Sequence, residues 1–311
     1  MFDLAALTRA VARHRRVARV VIAAHDGSSP RETGAAMLVW ADGQEGTIGG
    51  GALEWEATTR ARALLSKGGT RLDRQALGPS LGQCCGGAVT TLTEVYDKAT
   101  LPQPQAGTVA RSADGRPLPL AVARLLDRAR AQGLRPGPIL LQGWFLEPLA
   151  HPTRQLWIWG AGHVGRALVG VLAPLPAVQI TWVDVAPDRF PEALPENVAP
   201  LALPDPAAAV PQAPASAEHL ILTYSHALDL DLCHRLLTHG FARCGLIGSA
   251  TKWARFRSRL AALGHSPETI ARITCPIGDP ALGKHPQAIA IGVAAQFLAT
   301  APAAARATQT G

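Results

Sequence analysis

The run from Leu156 to Asp184 leaves this chain fewer folds to choose from than any other stretch. Leu156-Trp157-Ile158-Trp159 is a short apolar strand, Gly160-Ala161-Gly162-His163-Val164-Gly165 is a complete G-x-G-x-x-G, and Val164, Leu168 and Leu172 carry helical apolar spacing out of it. Ile180 to Val183 is a second strand, β-branched and aromatic, ending on Asp184. Strand, glycine turn, helix and strand in that order predict a βαβ unit. The first glycine lets the chain turn sharply, the second lets backbone approach a ligand, and the third lets helix pack on strand. Such a turn presents unpaired helix N–H groups at the strand's carboxyl end and favours a phosphate there. Gly160, Gly162, His163 and Gly165 are therefore candidate contacts. Asp184 is expected to bond a ribose hydroxyl and to disfavour a 2′-phosphate. Close packing alone would also account for the glycines, because fold does not dictate function.

At 311 residues the chain has room for two cores. A hydrophobic content of 48% with 17% charged residues describes an ordered globular protein. The formal charge of +7 is modest and spread over many arginines, so no nucleic-acid face is expected, while an anionic small ligand or acidic partner is permitted. Five cysteines stand at 84, 85, 233, 244 and 275 without a C-x-x-C pair, which argues against a structural zinc site. An odd count without a secretion signal fits reduced thiols in the cytoplasm. Arg9, Arg13, Arg15, Arg16 and Arg19 interrupt any apolar run of the ~20 residues that a membrane helix needs.

Along the chain, Leu4, Leu7 and Val11 mark an opening helix and Val17 to Ala24 a strand. Gly27-Ser28-Ser29-Pro30-Arg31 breaks that strand, and Ala35 to Trp40 resumes one. Gly46-Thr47-Ile48-Gly49-Gly50-Gly51 leads into a helix over 52–66, with a second row of free amides expected at its start. Glu54 in its first turn complements the helix dipole by about 0.3 to 1 kcal/mol. Leu72 to Leu77 and Val89 to Tyr96 read as strands flanking Gly82-Gln83-Cys84-Cys85-Gly86-Gly87. Glycines on both sides let those thiols come close to a bound group, and a thiolate is both nucleophile and soft-metal ligand. Two small buried residues in a tight loop would be the bland account.

Gly107 to Ser112 and Ile139 to Phe145 read as strands around a helix over 120–132. The stretch Glu147 to Pro152, where two prolines bracket polar residues, reads as the inter-domain linker. The expected architecture is α/β: an N-terminal mixed α+β domain over 1–147, a linker over 148–155, a Rossmann-like doubly wound parallel-sheet domain over 156–300, and a disordered tail over 301–311. Within the second domain, strands near 198–201, 220–224 and 244–247 put Ser225, His226, Ser249 and Lys252 at the sheet's carboxyl edge. Cys275 is a third candidate thiol, and Gln287 to Ala299 forms the closing helix.

Taken together, Gly27 to Arg31 with Gly34, Gly46 to Gly51 with Glu54, and Gly82 to Gly87 resemble the signature of the XdhC/CoxI family, in particular its xanthine dehydrogenase accessory branch. Gly160 to Gly165, Gly248-Ser249 with Lys252, and Pro276-Ile277-Gly278 extend the resemblance to about Ala299. One departure is that Asp279-Pro280 follows Gly278 directly, where the family often has an apolar residue and an acid. The resemblance implies a chaperone without turnover of its own. It would bind the molybdenum cofactor, hold it while a cysteine desulfurase installs the terminal sulfido ligand, and deliver it to apo xanthine dehydrogenase, in contact with cofactor-biosynthesis proteins. On that reading Ser29, Arg31, Gly49, Gly50, Gly51, Cys84, Cys85, Gly86 and Gly87 hold cofactor, with Gly160, Gly162, His163, Gly165, Asp184, Ser249 and Lys252 as a phosphate platform. Cys84 or Cys85 would coordinate molybdenum, shield the sulfido group or accept persulfide sulfur. A homodimer is permitted and not demanded. The rival is an NAD(P)-dependent oxidoreductase with His226 or Lys252 as proton donor, which leaves the cysteine loop without a task.

Overall fold

The computed structural model describes residues 1–78, 86–150, 154–175 and 177–300. They fall into two compact units, one within residues 1–150 and the other within 154–300.

The first unit runs α1 (Leu4–His14), β1 (Val17–Asp26), β2 (Ala36–Val39), β3 (Gln44–Gly46), α2 (Gly51–Lys67), β4 (Thr70–Ala76), β5 (Ala88–Tyr96), β6 (Thr108–Ser112), α3 (Leu120–Gln132), β7 (Ile139–Leu141) and β8 (Trp144–Pro148). An antiparallel five-stranded sheet has the order β3-β2-β1-β5-β4, and a three-stranded one the order β6-β8-β7. β1 is apolar on both faces and central for that reason. Val20 and Ile22 pack with Leu53, Ala57 and Ala61 of α2, whereas Val21 and Ala23 pack with Leu92, Ala113 and Phe145. The small sheet therefore covers the face opposite α2.

Two readings change here. The expected strand over 139–145 is a hairpin: Gln142 and Gly143 both take positive φ, 50° and 81°, which turns the chain between β7 and β8. Glu147 is no linker residue. It lies on β8 with no exposed surface, in a bidentate pair with Arg19 of β1 at 2.8 and 2.9 Å. Arg111 of β6 donates to Glu147 and, at 2.9 Å, to both carboxylate oxygens of Glu94 on β5. The guanidinium groups of Arg19 and Arg111 both lie against the Phe2 ring, at 4.4 and 4.8 Å from its centre. Two arginines and two glutamates thus form a neutral, buried cluster tying the two sheets together.

The second unit runs β9 (Arg154–Trp159), α4 (His163–Leu172), β10 (Val178–Asp184), β11 (Val198–Ala202), β12 (Glu218–Ile221), α5 (His226–His239), β13 (Arg243–Leu246), α6 (Ala250–Ala262), α7 (Pro267–Ile270), β14 (Ile273–Thr274) and α8 (Pro286–Ala299). The sheet has the order β11-β10-β9-β12-β13-β14, and all its pairs are parallel. Alternate residues of β9 feed two cores: Leu156 and Ile158 meet Leu168 and Leu172 of α4 and Val293 of α8, while Trp157 and Trp159 meet Leu232 and Leu236 of α5. The Rossmann-like doubly wound arrangement expected from the glycine turn is present. The edge strand β14, two residues long, is too short to have shown a pattern. Among the described residues, no helix is long and apolar enough to cross a membrane.

Candidate functional site

In the first unit, three loops that are far apart in sequence abut at one end of the five-stranded sheet. A Cβ added at Gly87 would stand 2.2 Å from the Ser28 carbonyl oxygen and 2.6 Å from that of Asp26. One added at Gly49, where φ is +125°, would stand 2.6 Å from Cβ of Pro30. Glycine is thus required where the loop over 27–31 touches both the glycine run before α2 and the backbone just after the cysteine pair. Cys84 and Cys85, including their expected metal contact, lie outside the described residues, as does the tail over 301–311. Among the described residues, no group of three His, Cys, Asp or Glu side chains could hold a metal ion. Replacing Gly87 by alanine is expected to cost about 1 to 3 kcal/mol, the usual penalty for forcing atoms into filled space, measured as a lowered urea midpoint.

The amides before α2 are not free, contrary to the sequence reading. Glu54 reaches back and accepts from the Ile48 amide at 2.9 Å, the Gly50 amide at 3.1 Å, the Gln44 side chain at 3.1 Å and the Thr47 hydroxyl. Burial alone would raise its pKa, but the hydrogen bonds from Thr47, Ile48 and Gly50 outweigh it and hold the carboxyl below its ordinary value. Glu54 therefore shapes the loop as well as complementing the dipole. Nearby, Ser29 donates from its hydroxyl to the Arg31 carbonyl oxygen at 2.7 Å, and Arg31 pairs with Glu32 at 3.0 Å, both half exposed. Gly50 and Gly51 continue the loop at φ of 75° and 63°. Gly86 has open space around it.

In the second unit, the turn after β9 is held from inside. A Cβ at Gly165 would lie 2.1 Å from the Gly160 carbonyl oxygen, and one at Gly160 would lie 2.5 Å from that of Leu222. His163 is exposed at the first position of α4. Asp184 at the end of β10 is buried, accepting from the Ala161 and Val185 amides. It organises the turn, where the sequence reading had it reaching outward to a ribose.

Further along the same edge, Ser225 and Ser249 are helix N-caps, accepting from the amides of Leu228 and Lys252. The Lys252 ammonium donates to Asp229 at 2.6 Å and to the Ile247 carbonyl oxygen at 3.0 Å. Asp229, fully buried, also accepts from the Thr223 amide and hydroxyl. Lys252 thus clamps the ends of β12 and β13, a role that only the Asp229 partner reveals. His226 is exposed and stands edge-on to Phe256. Cys275 is half buried beside Lys252; burial pushes its pKa up to about 11, and Lys252 offsets only part of that. It is therefore a thiol at neutral pH, as are Cys233 and Cys244, whose pKa values are also raised, chiefly by burial.

Two family models match the chain: one for the XdhC and CoxI family over residues 10–75 and one for the XdhC Rossmann domain over residues 156–297. The chain belongs to the XdhC and CoxI family. The chain is similar to the Escherichia coli (strain K12) protein YqeB, described as uncharacterized, at 27% identity over 278 residues. That alignment covers 88% of this chain and 41% of YqeB, so this XdhC/CoxI chain spans about two fifths of its curated relative. A crystallised protein from Bacillus halodurans, described as a xanthine dehydrogenase, superposes with a TM-score of 0.69 at 19% identity, covering 96% of this chain and 95% of that one. At that identity the likeness speaks for the fold, which the two proteins share through both units.

The XdhC/CoxI glycine loops and the Rossmann turn were legible from spacing. Glu54 as acceptor of the loop amides, Asp184 folded onto its own turn and Lys252 held by Asp229 were not. The offset from Glu54 to Gly50 is the one local signal available, since a first-turn acid commonly reaches back to amides that precede it.

Proposed function

We propose that this chain is a maturation factor for a xanthine dehydrogenase. It carries the molybdenum cofactor as cargo, holds it while a cysteine desulfurase supplies the terminal sulfido ligand, and passes it to the apo enzyme without turning over a substrate of its own. The observation that carries this reading is the meeting of three glycine-rich loops at one sheet end, the last of them leading directly out of the Cys84-Cys85 pair. Family membership supports it, and so does the chemistry of the residues. Side-chain-free backbone, already shaped by Glu54, can lie close against a large planar group. Paired thiols at its border suit a soft metal carrying sulfur. Cofactor-biosynthesis proteins and a second copy of this chain complete the proposed partners.

The test is retention. Wild-type protein mixed with molybdenum cofactor is expected to co-elute with pterin and molybdenum on gel filtration. Cys84→Ala and Cys85→Ala are expected to retain less, and the double variant at least tenfold less. Normal retention by the double variant would remove the thiols from the proposal, and absence of cofactor uptake by folded wild type would end it.

The oxidoreductase alternative is weakened by Lys252. Its ammonium is committed to Asp229 and a backbone carbonyl rather than standing free to deliver a proton.

A further inference from the structure

The glycine loops of the first unit gather where β1 ends, and a different cleft opens where β1 begins. It lies between the end of α1, the turn after β2 and the end of α2, has a volume of about 380 Å³, and is lined by His14, Arg15, Arg16, Trp40, Asp42 and Leu65 among others. That volume falls in the ~300–1,000 Å³ range of small-molecule sites. No residue of the glycine loops or of the Rossmann turn lines it.

The chain enters β1 through an uncommon turn. Arg16 donates its amide to the His14 carbonyl oxygen at 2.8 Å, two residues back, and Arg15 between them has φ 68° and ψ −49°. This is a γ-turn of the positive-φ kind, rare and strained for a residue with a side chain. Glycine would relieve it. Arg15 is nevertheless exposed and has no acid partner among the described residues, and Arg13 and His14 already complement the α1 dipole from its last turn. What the turn does is bring three consecutive side chains to one cleft, which a strand that alternates its side chains could not do. Arg16 is fixed there by a hydrogen bond to the Ser66 carbonyl oxygen at 3.1 Å. His14 lies flat on the Trp40 indole, ring centres 4.1 Å apart and planes 9° from parallel, and Leu65 extends the apolar wall. Two guanidinium groups against the one carboxylate of Asp42 leave the cleft positive. A guanidinium fork suits a carboxylate, and a stacked pair of rings offers a flat surface to a third.

We propose that this cleft binds a small aromatic carboxylate, with its ring against the His14–Leu65 wall and its carboxylate on Arg15 and Arg16. The site is separate from the molybdenum cargo reading and does not depend on it. Calorimetric titration of the full chain with indole-3-carboxylate, its neutral analogue indole-3-carboxamide, and acetate tests it. The first is expected to bind at least tenfold tighter than either of the others. Arg15→Gly is expected to raise the urea midpoint, because the turn is relieved, and to weaken binding of the carboxylate at least fivefold. Equal or tighter binding of the carboxamide or of acetate overturns the proposal, as does absence of binding by wild type whose circular dichroism shows it folded. An Arg15→Gly variant that keeps its affinity, or whose midpoint does not rise, overturns it too. The wild-type ranking needs no variant, so misfolding cannot protect the idea. Pterin retention is read in a different experiment, so the two proposals fail independently.

Discussion

Replacing Glu147 with alanine is expected to destabilise the first unit by about 3 to 5 kcal/mol, the range found when one partner of a buried ion pair is removed. Glu147 has no exposed surface and takes charge from Arg19 and Arg111 together. Burial alone would raise its pKa strongly; the two arginines outweigh that and keep the carboxyl ionised, below its ordinary value. Without it, Arg19 would be buried with no acid, and Arg111 would keep Glu94 alone. The loss should appear as a lowered urea midpoint. Replacing all four members, Arg19, Glu94, Arg111 and Glu147, by apolar residues of similar volume is expected to restore much of the stability, because no charge is then stranded. Single-variant stability within about 1 kcal/mol of wild type would show that the cluster is hydrated and not dry.

The second large effect is a pH dependence centred on His219. Its imidazole is 1% exposed among Trp157, Trp159 and Phe241, and it accepts at Nδ1 from Trp159 Nε1 at 3.2 Å. Its Nε2 is buried without a partner. Burial, with a smaller contribution from His239, lowers its pKa to about 3. The folded chain therefore refuses a proton that the unfolded chain accepts near pH 6.5. Stability is accordingly complete above that value and falls as pH drops, by about 1.4 kcal/mol per unit, until about pH 3. Between pH 7 and pH 5 the expected loss is about 2 kcal/mol. Urea melts of wild type and His219→Phe at the two pH values check this. The variant starts lower, because the Trp159 N–H loses its acceptor, but it should lose about 2 kcal/mol less on acidification. Parallel pH profiles would refute the assignment.

Periodicity and turn chemistry reached most of the architecture, because they are local. The apolar run of β9, the glycines after it and the helical spacing of Leu168 and Leu172 each report on neighbours within one turn or one strand, so the parallel sheet is readable. The strand over 139–145 was misread because Gln142 is an uncommon residue at positive φ and its turn adds only two residues to an apolar run. Glu147 was misread for another reason. A glutamate just before a proline looks solvated unless the arginines that neutralise it are known, and those lie 128 and 36 residues away.

The sequence by itself determined where backbone must bend and which faces must be buried. Glycines, prolines and apolar spacing act through the chain's own sterics and its avoidance of water, and both are local. Tertiary structure alone decided how the charges are used. Glu54 caps the loop amides, Asp184 is folded onto its turn beside Arg189, and Lys252 is tied to Asp229. An ionisable side chain takes its role from whatever lies within a few ångströms, and that neighbour is chosen by the fold.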